Sequence, residues 1–376
     1  MARIVVLGGG RVGAAIARDL CTEHSVTVAD LDPAVAERFN DDDGISTATV
    51  DLASDELRSV IEGADLVVGA VPGHMGFETL KRIIEAGKNV VDISFFPEDM
   101  FALDELAKEK NVTAVVDCGV APGLSNMVLG RMHAEWDNVT RFSCCVGGLP
   151  QERKPPWEYQ APFSPSDVIE EYTRPARLVR NGKEVTLQAL SELENLEFEG
   201  VGTLEAFNTD GLRSLLTTID AEDMSEKTLR YPGHVARIEA LRDSGLLDTT
   251  PVAVGGVEIV PRDVTSKLLF DKWLQRPGDK DLTAMRIEVA GSLGGKDVSV
   301  RYDMLDRYDE KTNTTSMART TGYTCTAVVR AMLEGLVTAK GIVPPETVAV
   351  NKNAFDFVLE RLDERGVRFS VATVGG

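Results

Sequence analysis

The sequence is short of positive charge: 376 residues carry 40 Lys and Arg against 60 Asp and Glu, a formal net charge of −20. A field of that sign repels polyanions, which argues against nucleic acid and anionic membrane as partners. Solubility is the first use of such a surface, and attraction of a cationic substrate a weak second. No apolar run approaches the ~18 residues of a membrane span. Arg3 already opens a core strand, leaving no room for a signal peptide, so a cytoplasmic location is expected. No C-x-x-C pair occurs among Cys21, Cys118, Cys144, Cys145 and Cys325, an odd set that suits reduced thiols. The adjacent Cys144 and Cys145 lie in an apolar strand and read as packing residues. His24, His74, His133 and His234 are far apart and lack metal-ligand spacing, so no metal site is expected. Internal repeats and low-complexity tracts are also missing.

What is present is concentrated near residue 1. Arg3-Ile4-Val5-Val6-Leu7 reads as a buried strand, and Gly8-Gly9-Gly10-Arg11-Val12-Gly13 follows with the G-x-G-x-x-G spacing at a strand-to-helix turn. Gly8 permits the tight turn, Gly10 lets a pyrophosphate approach the backbone, and Gly13 lets the helix pack on the strand. The helix N-terminal amides then hold the anion. The next strand, Val26 to Ala29, stops at Asp30, whose carboxylate suits the adenine ribose hydroxyls and repels a 2′-phosphate. NAD is therefore expected over NADP.

Hydrophobic content of 43% and charged content of 27% describe a globular chain, and its length suits two domains. The expected class is α/β. An N-terminal Rossmann-type, doubly wound parallel sheet is placed at 1–122, because short apolar strands alternate with helices there. Strands are expected at Thr47 to Val50, Leu66 to Val71, Asn89 to Ser94 and Val112 to Asp117, with helices from Asp55, from Gly76 and over Leu103 to Lys110. Their ends, Gly8, Asp30, Asp51-Leu52, Ala70-Val71-Pro72, Ser94 and Asp117, should share one sheet edge, where ligands of open parallel sheets bind. A helix with Pro122 in its first turn then opens a second α+β domain, 123–322, containing a mainly antiparallel sheet. Its signals are a hairpin across Asn181-Gly182 and a strand pair, Met285 to Val289 and Val298 to Met304. Helices are read from Ser164-Pro165 and near Pro261 to Trp273. Residues 323–345 read as a helix returning to the nucleotide domain. The segment 346–376, with a helix from Asn353 to Arg365 and an apolar Val367 to Val374, suits either domain.

A nucleotide domain beside an antiparallel domain suggests a cleft and hydride transfer, with the protein positioning carbon and moving protons. Val71-Pro72-Gly73-His74 stands where such folds pass under the nicotinamide ribose, or is a plain turn. Asp92 and Asp117 are candidates for a substrate anchor or general base, or they cap the turns that follow. Ser94 donates to substrate or starts a turn. Asp117 precedes a helix N-terminus at Gly123 whose amides suit a carboxylate, and an acid beside an anion hole fits an amino acid. Asp210 is placed to cap a helix from Gly211. Arg230 offers a fork for a carboxylate or an interdomain ion pair. His234, with a reference pKa of about 6.5, is the nearest ready acid–base group or a turn cap. Trp157 and Tyr159 form a lid or a dimer contact.

The chain resembles the saccharopine dehydrogenase-like oxidoreductases, and within them the lysine 6-dehydrogenases. The residues that carry this are Gly8 to Gly13, Asn89-Val90-Val91-Asp92-Ile93-Ser94, Asp117-Cys118-Gly119-Val120-Ala121-Pro122-Gly123, Val146-Gly147-Gly148-Leu149-Pro150 and Thr228-Leu229-Arg230-Tyr231. The resemblance implies a homodimer and NAD-dependent oxidation of the side-chain amine of L-lysine. Hydride leaves the ε-carbon, water hydrolyses the imine with release of ammonia, and the 6-semialdehyde closes to a cyclic imine. By analogy the binding strand ends fall on Asp30, Ala70, Val71, Ser94 and Asp117. The candidate cofactor contacts are then Gly8, Gly9, Gly10, Arg11, Val12, Gly13, Asp30, Asp51, Leu52, Ala70, Val71 and Pro72, the candidate catalytic groups Asp92, Asp117 and His234, and the candidate substrate contacts Ser94, Gly123, Thr209, Arg230 and Tyr231. Saccharopine reductases tend to have Asp-Pro-Gly at Ala121-Pro122-Gly123 and Arg at Thr209. Loss of that Arg would leave saccharopine's extra carboxylates unpaired, which argues for a smaller substrate. The rival readings are a saccharopine or carboxynorspermidine-type dehydrogenase acting on a secondary amine, and an NAD-binding sensor or scaffold.

Overall fold

The computed structural model describes residues 1–161 and 165–373, without the side chains of 165–167. The chain opens with β1 (Arg3–Leu7), α1 (Arg11–Leu20), β2 (Ser25–Asp30), α2 (Ala34–Glu37), β3 (Ile45–Thr49), α3 (Glu56–Ile61), β4 (Leu66–Gly69), α4 (Gly73–Glu85), β5 (Val90–Asp92), α5 (Asp104–Glu109), β6 (Thr113–Val115) and α6 (Leu124–Glu135). The middle holds β7 (Asn138–Pro150), α7 (Pro165–Thr173), β8 (Ala176–Arg180), β9 (Lys183–Leu187), β10 (Glu194–Phe198), β11 (Gly202–Asn208), α8 (Leu215–Thr218), β12 (Asp223–Arg230), α9 (His234–Asp243), β13 (Val252–Val254), β14 (Val257–Ile259), α10 (Pro261–Trp273), β15 (Asp281–Leu293) and β16 (Lys296–Arg307). It closes with α11 (Ser316–Leu333), β17 (Gly341–Val343), α12 (Pro345–Val350), α13 (Lys352–Glu364) and β18 (Phe369–Thr373).

Two compact units result, one of Met1–Glu135 with Ala318–Arg368, the other of Trp136–Met317 with the chain from Phe369 on. The first contains a parallel sheet in the order β17-β6-β5-β4-β1-β2-β3. β4 is apolar and buried along its length, and β1, β5 and β6 are buried without alternation apart from the exposed Arg3 at the start of β1, as a sheet covered on both faces requires. Helix α1 lays Gly13, Ala14, Ala15, Ile16, Ala17 and Leu20 inward. Strand order reverses between β1 and β4, the switch point at whose carboxyl ends doubly wound sheets take ligands. The Rossmann-type expectation therefore holds. β4, β5 and β6 end sooner than their apolar runs, at Gly69, Asp92 and Val115, because the next residues leave the ladder as loops. Helix α4 starts at Gly73, earlier than expected.

The second unit is a mixed, mainly antiparallel sheet in the order β10-β11-β12-β7-β15-β16-β18, with the β8–β9 hairpin attached to β12. Within that order β12 and β7 are the parallel pair. Asn181 and Gly182 turn the hairpin with φ of 51° and 70°, the left-handed pair that matches strand twist. The strand pair β15–β16 runs longer than expected, Leu282↔Arg307 to Leu293↔Lys296, before turning at Gly294-Gly295.

Two expectations differ from the structure. The division falls after Glu135, not at 122, because α6 packs on α12 in the first unit; a Cβ added at Gly130 would lie 2.2 Å from the Glu346 carbonyl oxygen. Pro122 precedes α6, in a turn where Gly119 N–H donates to the Pro122 carbonyl at 3.1 Å. The C-terminal segment, which suited either domain, is shared: α12 and α13 belong to the first unit, while β18 adds to β16 in the second, Val300↔Thr373 to Met304↔Phe369. The helix expected from Ser164-Pro165 is described from Pro165; Ser164 and Val374 lie outside the described residues. Among the described residues no helix is long and apolar enough to cross a membrane.

Candidate functional site

The dinucleotide turn is held by contacts that leave no room for side chains. Gly8 has φ 99°, and a Cβ there would lie 2.4 Å from the Ala70 carbonyl oxygen; one at Gly13 would lie 2.0 Å from that of Gly8. Gly10 is the opposite case. It is exposed, with nothing within 4 Å of an added Cβ, and it begins α1 without a side-chain cap. Uncapped amides facing open space, with no acid in the first turn, suit a pyrophosphate. Gly9 N–H donates to Asp30 Oδ2 at 2.7 Å, and Asp32 N–H to Asp30 Oδ1 at 2.9 Å, so the acid that would face a ribose is itself fixed. Arg11 and Val12 stand in the first turn of α1, Asp51 and Leu52 follow β3, and Ala70-Val71-Pro72 follow β4. With Gly8 and Asp30 they lie along the carboxyl edge of the sheet, and the residues present fit a dinucleotide.

Farther along the same edge are Asp92, fully buried at the end of β5, and Asp117, 2% exposed after β6. Asp92 Oδ1 accepts from Ser94 N–H at 2.8 Å, and Ser94 Oγ donates to Oδ2 at 3.3 Å. A Cβ at Gly69 would lie 1.8 Å from Asp92 Oδ2, so β4 makes space for the carboxylate by having glycine there. Asp117 takes a left-handed φ of 52°, a conformation Asp tolerates better than most residues. The buried thiol of Cys118 is held protonated by burial first and then by the charges of Asp92 and Asp117.

The anion hole expected after Asp117 is not there. Gly123 N–H donates to Asn126 Oδ1 at 3.2 Å, Leu124 N–H to the Gly119 carbonyl at 2.9 Å and Ser125 N–H to that of Val120 at 3.2 Å. These α6 amides are satisfied internally, and Gly123 has none left for a substrate carboxylate.

In the second unit, burial commits the expected substrate groups to one another. Arg230, 3% exposed, donates from Nη2 to Glu171 Oε2 at 2.6 Å, from Nε to Tyr172 Oη at 3.1 Å and from Nη1 to the Leu229 carbonyl at 2.9 Å, with its guanidinium over the Tyr159 ring. Its ion pair lies within this unit, not between domains, and its fork is closed to a carboxylate. His234 bonds Trp157 carbonyl oxygen through Nδ1 at 3.1 Å and Tyr172 Oη through Nε2 at 2.9 Å. A carbonyl only accepts, so Nδ1 carries the proton and Nε2 accepts from the phenol. Burial, then the Arg230 charge, pushes His234 down to about 3, so it is neutral near pH 7 and is no ready acid–base group. Tyr231 Oη donates to the Pro150 carbonyl at 2.9 Å. Tyr159 is buried core, 5.4 Å from Trp273 between ring centres, and Trp157 packs edge-on to Trp273 at 5.7 Å; neither is a lid. Asp210 caps no helix from Gly211: its oxygens take Arg177 Nε and Nη2, each at 2.9 Å, and α8 starts later.

Thr209 leads to a residue that the sequence reading did not single out. Its Oγ1 donates to Glu226 Oε2 at 2.6 Å and lies 2.9 Å from Thr228 Oγ1. The available signal was alternation: Glu226, Thr228 and Arg230 share one face of a strand whose other residues there are apolar or paired. The expected residues thus divide. Asp92, Ser94, Asp117 and Gly123 belong to the first unit, and Thr209, Arg230, Tyr231 and His234 to the second.

Comparison with known proteins gives two family matches. Residues 4–115 match the saccharopine dehydrogenase NADP binding domain, and residues 119–367 the saccharopine dehydrogenase C-terminal domain. The mitochondrial alpha-aminoadipic semialdehyde synthase of Mus musculus is 22% identical over 451 residues, covering 98% of this chain and 47% of that protein. The saccharopine dehydrogenase [NADP(+), L-glutamate-forming] of Schizosaccharomyces pombe is 26% identical over 266 residues, covering 66% of this chain and 59% of its own length. The chain therefore spans about half the length of the curated relatives it matches. Among solved structures, apo saccharopine dehydrogenase (L-Glu forming) from Saccharomyces cerevisiae has the same fold, with TM-score 0.81, 19% identity and 100% of both chains covered. Homospermidine synthase from Legionella pneumophila, solved with NAD, gives TM-score 0.67 at 12% identity over 99% of this chain and 91% of that one.

Proposed function

Because this chain belongs to the saccharopine dehydrogenase family, we propose that it is a pyridine-nucleotide-dependent dehydrogenase that oxidises the ε-amine of L-lysine. The observation that carries this is the pair of buried carboxylates, Asp92 and Asp117, on the sheet edge that bears the dinucleotide turn. A nicotinamide, when bound, supplies the hydride acceptor. The protein must then hold the amine neutral and take up its proton. The C–H bond at the ε-carbon breaks as the C=N bond forms, and water afterwards releases ammonia and leaves the semialdehyde.

L-Lysine is favoured over a larger polyacid by the chemistry around Thr209. The side chain beside it is an acid, Glu226, while the guanidiniums of Arg177 and Arg230 are already engaged by Asp210 and Glu171. Neither guanidinium therefore offers its fork to the further carboxylates that saccharopine carries. The alternative, oxidation of a secondary amine such as saccharopine, is favoured by the names of the relatives.

A lysine amine has a reference pKa of about 10.4 and must lose its proton before hydride departs. The rate at limiting lysine should therefore climb with pH through the neutral and mildly alkaline range, read as NADH formation. A profile peaking below pH 7 would contradict amine oxidation.

The carboxylate of Asp30 supports NAD as the cofactor. Asp30→Ala removes the charge opposed to a 2′-phosphate, and the ratio of kcat/KM with NADP to that with NAD should rise at least about tenfold. It also removes the acceptor of Gly9 N–H, so affinity for NAD itself should fall. An unchanged ratio would remove Asp30 as the selector.

A further inference from the structure

Within the first unit, the chain from Asp117 to Gly123 turns back on itself. Gly123 has φ 135°, and a Cβ there would lie 2.0 Å from the Gly119 carbonyl oxygen, so the two sides of the turn touch. The start of the turn is tied to the sheet, since Cys118 N–H donates to the Asp92 carbonyl at 2.9 Å. Its end is held by a side chain. Asn126, 1% exposed in α6, accepts at Oδ1 from Gly123 N–H at 3.2 Å and from Ser125 Oγ at 3.1 Å, while its Nδ2 donates to Glu346 Oε2 on α12 at 3.4 Å. All of these residues belong to the one unit.

The helix itself has no need of this residue. Asn inside a helix competes for backbone groups, and the amides of Leu124 and Ser125 are already taken by the Gly119 and Val120 carbonyls. What the carboxamide adds is a link, accepting from the turn on one side and donating to α12 on the other, where burial makes an unmade bond costly. The carboxylate that this turn carries is that of Asp117, whose left-handed φ of 52° the rest of the loop must maintain. Resting on the amine-oxidation reading above, in which Asp117 serves the proton transfer, we propose that Asn126 is a positioning residue: it fixes the course of the loop and with it the place of the Asp117 carboxylate. The hydrogen bonds of Asn126 go to α6, to the turn before it and to α12, and the dinucleotide turn of β1 and α1 shares none of them. A change at Asn126 should therefore alter the chemical step and leave dinucleotide binding alone.

Asn126→Ala tests this, read as kcat with the amine that the wild-type protein oxidises and as dinucleotide affinity by titration. The expected result is a fall in kcat of at least about tenfold, the cost of a displaced reacting group, with dinucleotide affinity within about twofold. Asn126→Asp/Glu346→Gln keeps the acceptor for Gly123 N–H and reverses the bond to α12, so kcat should return to within about threefold of wild type. In an Asp117→Asn background, Asn126→Ala should cost no more than about twofold further, because two residues that act through one group are not additive. An unchanged kcat for Asn126→Ala, a loss of dinucleotide affinity as large as the loss of kcat, no recovery in Asn126→Asp/Glu346→Gln, or an undiminished further loss in the Asp117→Asn background would each overturn the assignment. If Asn126→Ala does not fold, Asn126→Ser, which withdraws the oxygen from Gly123 but leaves a hydroxyl, carries the test with the same expected results. Wild-type turnover by Asp117→Asn alone would be a failure of the amine-oxidation reading, seen without any change at Asn126. A wild-type protein that oxidises saccharopine and not L-lysine would remove the lysine reading alone, and the same variants assayed on saccharopine would still decide the role of Asn126.

Discussion

Asp117→Asn should lower kcat for amine oxidation by at least about a hundredfold, the loss typical of a positioned proton-transfer group, while dinucleotide affinity stays within about twofold. The substitution is chosen for what it preserves. Asn is isosteric and tolerates the left-handed φ of 52° that Asp117 adopts, so the loop after β6 should keep its course. What disappears is one negative charge, buried to 2% exposure on the edge that carries the dinucleotide turn. Asp92 is the less clean target, because its carboxylate also accepts from Ser94 and fills the space left by Gly69. Dinucleotide binding would be followed by titration and the chemical step by single-turnover formation of NADH. Normal binding with wild-type turnover would take Asp117 out of the chemistry and leave it as a turn residue.

Arg230→Met should destabilise the protein by about 3–5 kcal/mol, the cost of stripping one partner from a buried ion pair. The guanidinium bonds Glu171 at 2.6 Å, the phenol of Tyr172 and the Leu229 carbonyl, and it sits 4.4 Å from the centre of the Tyr159 ring. Its removal also ends the run of hydrogen bonds from Arg230 through Tyr172 to His234 and the Trp157 carbonyl. For a unit of this size each kcal/mol is about 2–4 °C, so the second unit's transition should fall by roughly 10 °C. Neutralising Glu171 as well, in Glu171→Gln/Arg230→Met, should restore a part of the loss, because the uncompensated charge goes with it. A single variant within about 1 kcal/mol of wild type, or a double variant no better than the single, would show that the pair is a surface contact in energetic terms.

These two residues mark how far the sequence could be read. Gly8 to Gly13, Asp30 and the strand ends were legible because the turn, the helix start and the strand alternation are set by residues close in the chain. Asp92 and Asp117 were legible for the same reason, as acids at the ends of apolar runs. Arg230 and His234 were recognised as polar residues of interest, but their roles depend on Glu171 and Tyr172, some sixty positions away along the chain. A letter does not show burial, and burial is what makes His234 neutral and Arg230 a strut. Glu226 was passed over because its seat is made by Thr209 and Gly211, residues of another strand's loop. Helix α6 reads as the opening of the second domain because the helix it packs on, α12, lies about two hundred residues later.

The central claim, oxidation of the ε-amine of L-lysine, is tested most directly by incubating the protein with NAD and L-lysine and counting NADH and ammonia together. Equal amounts of the two, with no comparable NADH from saccharopine, is the expected result. NADH from saccharopine with release of glutamate, and none from L-lysine, would contradict it.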